Sequence, residues 1–346
     1  MADLNFYSLP DSEKKAIFQQ ISSNTGMPAF AVEKDWWVTK TLAIIFEMKA
    51  AEHLVFKGGT SLSKAWKLIE RFSEDVDLAI DRTFLGFNGD LSKNQRTQLR
   101  KAASTYTSGP FLEELKTKFA EKGFDKVNFN LVEANDSDQD PRIIEIYYPN
   151  LIETPGYLQP RVQVEIGCRS LKEPFSIKKF GSLVDENYHD KDFAQPNIQI
   201  PTVNPERTFL EKIFLLHEEF HKPIEQIRVE RLSRHLYDVY HLSKTGFAET
   251  ALKSKELYET IVIHRQKFTR IGGINYNEHQ PHTINPLPIP QVMEAWNADY
   301  KKMLEEMIYE QDPPSFEEII QKLTELKNQI NAIDWKMETQ FPIPNN

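Results

Sequence analysis

At 346 residues the chain is long enough for about two domains, and its 40% hydrophobic and 27% charged content is an ordinary globular balance. No run approaches the ~20 apolar residues of a membrane span, and the first residues lack the basic and apolar stretches of a secretory signal, so a cytoplasmic protein with no membrane partner is expected. A single cysteine, Cys168, excludes an intramolecular disulfide framework, and a formal net charge of −9 argues against tight sequence-blind binding to duplex DNA.

Asp11-Ser12-Glu13-Lys14 reads as the capped start of a first helix, and residues 29–48 as a second, with Phe30, Val38, Leu42 and Ile45 among its apolar positions. In this second helix Trp36 or Trp37 is expected to pack on a sheet, with Lys34 and Asp35 able to face a ligand. Next comes a short strand, Leu54 to Phe56, then the turn Lys57-Gly58-Gly59-Thr60-Ser61 leading into a helix. A second strand, Asp75-Val76-Asp77-Leu78, follows. Paired glycines let backbone N–H groups approach a phosphate, and hydroxyls at a helix start add donors where the dipole favours anions. Asp75 and Asp77 are two residues apart on a strand, so both carboxylates project from one face. Two carboxylates beside a triphosphate site suit Mg²⁺, which takes hard oxygen ligands and fills its remaining positions with water and phosphate. The pattern predicts metal-dependent nucleotidyl transfer.

Beyond a polar insertion (residues 81–93) and a helix running to about 122, strands are expected at Val127–Val132, Ile143–Tyr148 and Arg161–Ile166. The last alternates Val162, Val164 and Ile166 with Gln163 and Glu165. A third carboxylate on a later strand is what a polymerase-type metal site needs, and Glu165 is the best placed acid for it. Basic stretches at Lys93–Lys101, Arg169–Lys179 and Arg228–Arg234 are candidate local nucleic-acid surfaces.

Around Pro201 the character changes from strands to helices, with Asn204-Pro205 as a cap and first-turn proline. Helices continue to about residue 333, interrupted by a loop over 272–290 that holds His279 and His282 without metal-ligand spacing. Lys212 lies within an apolar helix. Arg231, Arg234, Asp238 and His241 share helical spacing, as an ion-paired polar stripe or as a cationic lining for phosphates. The expected fold is α+β: a mixed-sheet lobe with flanking helices over 1–200, then a helical lobe over 201–346 that completes an active-site cleft.

Lys57 to Leu62 and Arg71 to Leu78 together resemble the paired motifs of the AbiEii/AbiGii toxin nucleotidyltransferases, Lys-Gly-Gly-Thr-x-Leu and Arg-x-Ser-x-Asp-x-Asp-Leu. Arg234-His235-Leu236-Tyr237-Asp238-Val239-Tyr240 is similar to a further family motif, and Glu211-Lys212 to a fourth. The resemblance spans about residues 30 to 270. It implies catalytic roles for Asp75, Asp77, Lys212 and Asp238, and nucleotide binding by Lys57, Gly58, Gly59, Thr60, Ser61, Arg71, Ser73 and Arg234. Asp75 and Asp77, with Glu165, would hold Mg²⁺. It also implies an NTP substrate, an RNA acceptor such as the 3′ end of a tRNA, inhibition of bacterial growth, and a separately encoded antitoxin. Two other readings stay open: a nucleotidyl- or phosphotransferase acting on a protein or small molecule, with Ser73 then also a possible modification site, and an inert nucleotide-binding module. The retained carboxylates argue against the second.

Overall fold

The computed structural model describes residues 6–73, 75–154, 159–169 and 174–344. Two helices open the chain, α1 (Asp11–Thr25) and α2 (Ala29–Ile45). Pro10, not Asp11 or Ser12, occupies the N-cap of α1. Asp11 instead stands in the first turn, where it pairs with Lys14 at 2.9 Å. Gly26, at φ +75°, ends this helix with its N–H on the Ser22 carbonyl. α2 stops three residues short of the expected 48 and is buried almost all round, Trp36 and Trp37 included.

Strand β1 (Leu54–Lys57) runs into a helical turn, α3 (Gly58–Thr60), which continues through the wider-wound Ser61–Ala65, and then β2 (Asp75–Ile80) returns antiparallel to β1. Ser92 caps α4 (Lys93–Tyr106) in a reciprocal box with Gln95. The single helix expected here is broken: Thr107–Phe111, with Pro110 inside it, is wound more widely before α5 (Leu112–Glu121) resumes. Proline lacks the N–H that a regular helix needs at that point. Strands β3 (Asn128–Leu131), β4 (Arg142–Tyr147) and β5 (Arg161–Gly167) follow close to the expected positions. β6 (Phe175–Phe180) and β7 (Ile198–Val203), with the short helix α6 (Leu183–Asn187) between them, were not legible as a strand pair, because β6 holds the adjacent Lys178 and Lys179 inside a basic stretch and β7 holds Pro201. Residues 170–173 of that stretch lie outside the described residues.

The seven strands form one sheet in the order β3-β4-β5-β2-β1-β7-β6. Parallel pairing joins β2 to β5 and β1 to β7, and the other neighbours are antiparallel. Strand alternation gives the sheet one apolar face, with Phe56, Val76, Leu78, Val162, Val164 and Ile166 all buried. The opposite face at β1, β2 and β5 is half-buried and carries Lys57, Asp75, Asp77, Gln163 and Glu165.

The chain groups into two units, Met1–Trp66 with Phe72–Val203, and Lys67–Arg71 with Asn204–Asn346. The second unit contains α7 (Pro205–Phe220), α8 (Ser233–Leu242), α9 (Gly246–Lys253), α10 (Lys255–Phe268), α11 (Met293–Glu306) and α12 (Phe316–Asn331). Pro205 takes the first turn of α7, as expected, while the Asn204 side chain makes no capping bond. α8 packs against α7, α11 and α12. Lys67–Arg71 joins this unit through backbone: Arg71 bridges to Ile308, and the Tyr309 N–H donates to the Glu70 carbonyl at 3.1 Å. His279, expected as an ordinary loop residue, is fully buried against Glu218 at 3.2 Å.

Candidate active site

Register places three acids of the sheet unit side by side. Asp77 lies directly opposite Glu165 across the parallel β2–β5 pair, and Asp75 opposite Gln163. On the other side of β2, Lys57 is the partner of Asp77. Directly paired residues project from the same face, with strands about 4.8 Å apart. One row therefore reads Lys57, Asp77, Glu165, and Asp75 stands two residues away along β2.

The glycine turn is fitted to this row. Gly58 has φ +80°, and a Cβ on it would lie 1.9 Å from the Asp77 Oδ2. A side chain is thus excluded twice, by the left-handed backbone and by the carboxylate. Thr60 donates its hydroxyl to the Asp75 carbonyl, and Ser61 donates to the Gly58 carbonyl at 2.8 Å. Both residues are buried. Their hydroxyls, expected as phosphate donors, are used as donors to fasten the turn to itself and to β2. The wide winding of Ser61–Ala65, with the Trp66 N–H on the Ser61 carbonyl at 3.1 Å, is a local departure of the kind often found at functional sites.

The electrostatics show a cluster short of positive charge. Burial first, then the charges of Asp77 and Asp75, push the Glu165 carboxyl up to about 7, although Gln163 donates to it at 2.9 Å. Acids so arranged fit a divalent cation, whose charge would relieve the repulsion. Among the described residues no group of three or more His, Cys, Asp or Glu is placed to hold a metal ion by itself. Mg²⁺ does not need one, because it keeps several waters and takes one or two carboxylates plus substrate phosphates.

Lys34 and Asp35 of α2 are held within the same unit. Lys34 donates to the Gln159 carbonyl at 3.3 Å, while Asp35 pairs with Lys64 and accepts the Leu183 N–H at 2.7 Å. Ser73 is half-buried just ahead of β2, and Glu74 lies outside the described residues.

Arg71, Lys212, Asp238 and Arg234 belong together in the helical unit. Asp238 is fully buried on α8 and accepts two bonds from Arg71, at 2.6 and 2.7 Å, and the Lys212 ammonium at 2.8 Å. Burial opposes the charge of Asp238, but Arg71 and Lys212 override it and hold the carboxyl well below its ordinary range. Burial pushes the Lys212 ammonium down, with Asp238 opposing. His235, beside Lys212 at 3.3 Å, is kept neutral by burial and by the charges of Lys212 and Arg234. Asp238 thus pairs across the fold with Arg71 and Lys212, where helical spacing had suggested Arg234 four residues earlier. The expected single stripe is broken as well: Arg231 precedes α8 at φ +61° with its N–H on Asp299, and His241 faces Glu310 at 3.2 Å.

Each of the three basic stretches has one arginine in an ion pair: Arg100 with Asp138, Arg169 with Asp140 and Arg228 with Glu219. Sequence reading missed a further polar cluster on the sheet unit: Glu145 accepts from Arg161, from Asn130 at 2.8 Å and from the Tyr147 hydroxyl at 3.0 Å. Its only sequence signal is one acid inside the apolar run Ile143–Tyr148.

Residues 41–322 match the family described as nucleotidyl transferase AbiEii toxin, type IV toxin–antitoxin system. Among solved structures, MenT4, a nucleotidyltransferase toxin from Mycobacterium tuberculosis H37Rv, is similar at 18% identity and a TM-score of 0.47, over 91% of this chain and 98% of that one. No curated protein sequence matches the chain.

Proposed function

Because the chain belongs to the AbiEii family of type IV nucleotidyltransferase toxins, and with it takes an NTP as substrate and has a separate antitoxin as partner, we propose that it transfers a nucleotide to the 3′ end of an RNA, a tRNA first of all, in a reaction requiring Mg²⁺. The observation that carries this reading is the row Lys57–Asp77–Glu165 beside Asp75 and the closed turn at Gly58. Asp75, Asp77 and Glu165 would hold the metal, which when bound supplies charge for the triphosphate and acidifies the attacking hydroxyl. In the transfer, the acceptor 3′-oxygen bonds to the α-phosphorus, the bond from that phosphorus to pyrophosphate breaks, and the hydroxyl proton passes to water.

The Gly58–Gly59 turn, lacking side chains, lets the triphosphate come close to backbone, and Lys57 sets an ammonium beside the departing charge. Ser73 would lie at the edge of the same nucleotide subsite. In the helical unit, Asp238 acts by positioning: a carboxylate with no exposure fixes Arg71 and Lys212, and Lys212 with Arg234 contributes positive charge for phosphates. Growth inhibition follows if the extended RNA end no longer serves its normal use. Among the described residues no helix is long and apolar enough to cross a membrane.

The test is incorporation of each labelled NTP into total RNA, with and without Mg²⁺. The native chain labels RNA only with the metal, and Asp75→Ala abolishes labelling while circular dichroism and melting stay native-like. Full labelling by Asp75→Ala, or labelling of protein in place of RNA, refutes the assignment.

A further inference from the structure

The cluster around Glu145 lies on the same sheet face as the three acids. Asn130, Glu145, Gln163 and Asp75 are successive register partners across β3, β4, β5 and β2, and Tyr147 pairs with Arg161 two residues farther along. Glu145 is nearly buried and takes donors from three directions, so it locks the Arg161 guanidinium and the Tyr147 ring in place. The Arg161 side chain remains 28% exposed, and Tyr147 and Asn130 also reach the surface. Arg161 further donates to the Tyr147 oxygen at 3.3 Å. A fixed guanidinium on β5, the strand that carries Glu165, thus stands beside a fixed phenol ring on the neighbouring β4, on the sheet face of the carboxylate row.

Which substrate meets this cluster follows from the direction of the reaction, given the reading above that the turn at Gly58 takes the triphosphate. Attacking and leaving oxygens lie roughly in line across the transferred phosphorus. Pyrophosphate departs on the β1 side, over Gly58 and Lys57, so the attacking hydroxyl approaches from the β5 and β4 side. The geometry points to Arg161, Tyr147 and Asn130, braced by Glu145, as the subsite that holds the acceptor, and its chemistry suits the unpaired end of an RNA strand. A ring and a planar guanidinium offer stacking surfaces to unpaired bases, and Asn130 and Arg161 offer hydrogen bonds to base edges or phosphate. Along β5, Arg161 is four residues from Glu165, about 13 Å at strand spacing, so it meets a nucleotide behind the reacting end and not the reacting one. Arg161 is thus a positioning residue for the acceptor.

The experiment measures initial rates with the full chain, varying NTP at fixed RNA and short single-stranded RNA at fixed NTP. Arg161→Ala raises the RNA concentration at half-maximal rate about ten-fold, the scale of one charge-assisted contact, and leaves the NTP value and Mg²⁺-dependent NTP binding unchanged. Arg161→Lys recovers part of the loss, and Tyr147→Ala reproduces it where Tyr147→Phe, which keeps the ring, does not. Melting temperatures of all four variants near the native value separate this from loss of fold. A loss confined to NTP binding, or unchanged RNA dependence in Arg161→Ala and Tyr147→Ala, overturns the assignment. So does an Arg161 effect seen only with a protein acceptor. Failure of the native chain to label any RNA refutes the nucleotidyl-transfer reading itself and is distinguishable from these outcomes.

Discussion

Gly58 and Asp77 are in contact so close that a methyl group on the glycine would stand 1.9 Å from a carboxylate oxygen of the aspartate. Gly58→Ala must therefore shift Asp77 or the turn, in addition to forcing an L-residue to φ +80°. We expect nucleotidyl transfer to fall below detection, with a stability loss of about 1–3 kcal/mol. Gly86→Ala is the control: its φ is +85° but nothing lies within 4 Å of its Cβ position. It should lose about 1 kcal/mol and keep its rate. Equal rates for the two variants in a labelled-NTP assay would show that the contact with Asp77 does not matter to the chemistry.

In the helical unit, Asp238→Ala strands two buried cations, Arg71 and Lys212, without their shared counter-charge. Removing one partner from a buried ion pair costs about 3–5 kcal/mol. Urea unfolding should show a loss of that size. The double variant Asp238→Ala/Lys212→Met should be more stable than Asp238→Ala alone, since one stranded charge is then removed. Additive losses would mean that the two side chains do not act as a unit.

That network shows where sequence reading stops. Arg71 and Asp238 both stood out in the sequence, each within its own motif, yet 167 residues separate them and helical spacing offered Arg234 as the obvious local partner of Asp238. Only the fold reveals that residues 67–71 join the helical unit. By contrast, the grouping of candidate residues at β1, β2 and β5 was legible because its determinants are local: a glycine pair, Asp-x-Asp, and an acid at an alternating strand position. Strands β6 and β7 were missed for the opposite reason. Their evidence is pairing with each other and with β1, and their side chains do not follow a clean two-residue period.

Glu218 sets an acid limit on the helical unit. Burial would raise its carboxyl, but Arg265, and then His279, hold it down to about 2 from 4.5. A lowered folded-state value means that the contribution is complete above the unfolded value near 4.5 and is lost as pH falls toward 2. The shift corresponds to about 3 kcal/mol, roughly half of it gone by pH 3. Urea titrations at pH 7 and pH 3 should show this difference, and Glu218→Gln should flatten it while lowering stability at pH 7. A native-like acid slope in Glu218→Gln would place the linkage elsewhere.

Glu165 gives a prediction with two opposite signs. Its carboxyl is pushed up to about 7 by burial and by Asp77 and Asp75, so its ionised form is held in the fold at a cost when no cation is present. Glu165→Gln removes that charge and keeps nearly the same shape. Without divalent ions at pH 8 the variant should unfold at a higher temperature than the native chain, because repulsion within the row is relieved. If Glu165 holds Mg²⁺ as proposed, the order reverses in function: one hard oxygen ligand is weakened, so the Mg²⁺ concentration at half-maximal rate should rise about ten-fold, equivalent to about 1.4 kcal/mol. Thermal melts with EDTA and rate measurements over a Mg²⁺ series check the two halves separately. A variant that is less stable in EDTA, yet equally responsive to Mg²⁺, would mean that Glu165 braces the sheet and takes no part in holding the metal.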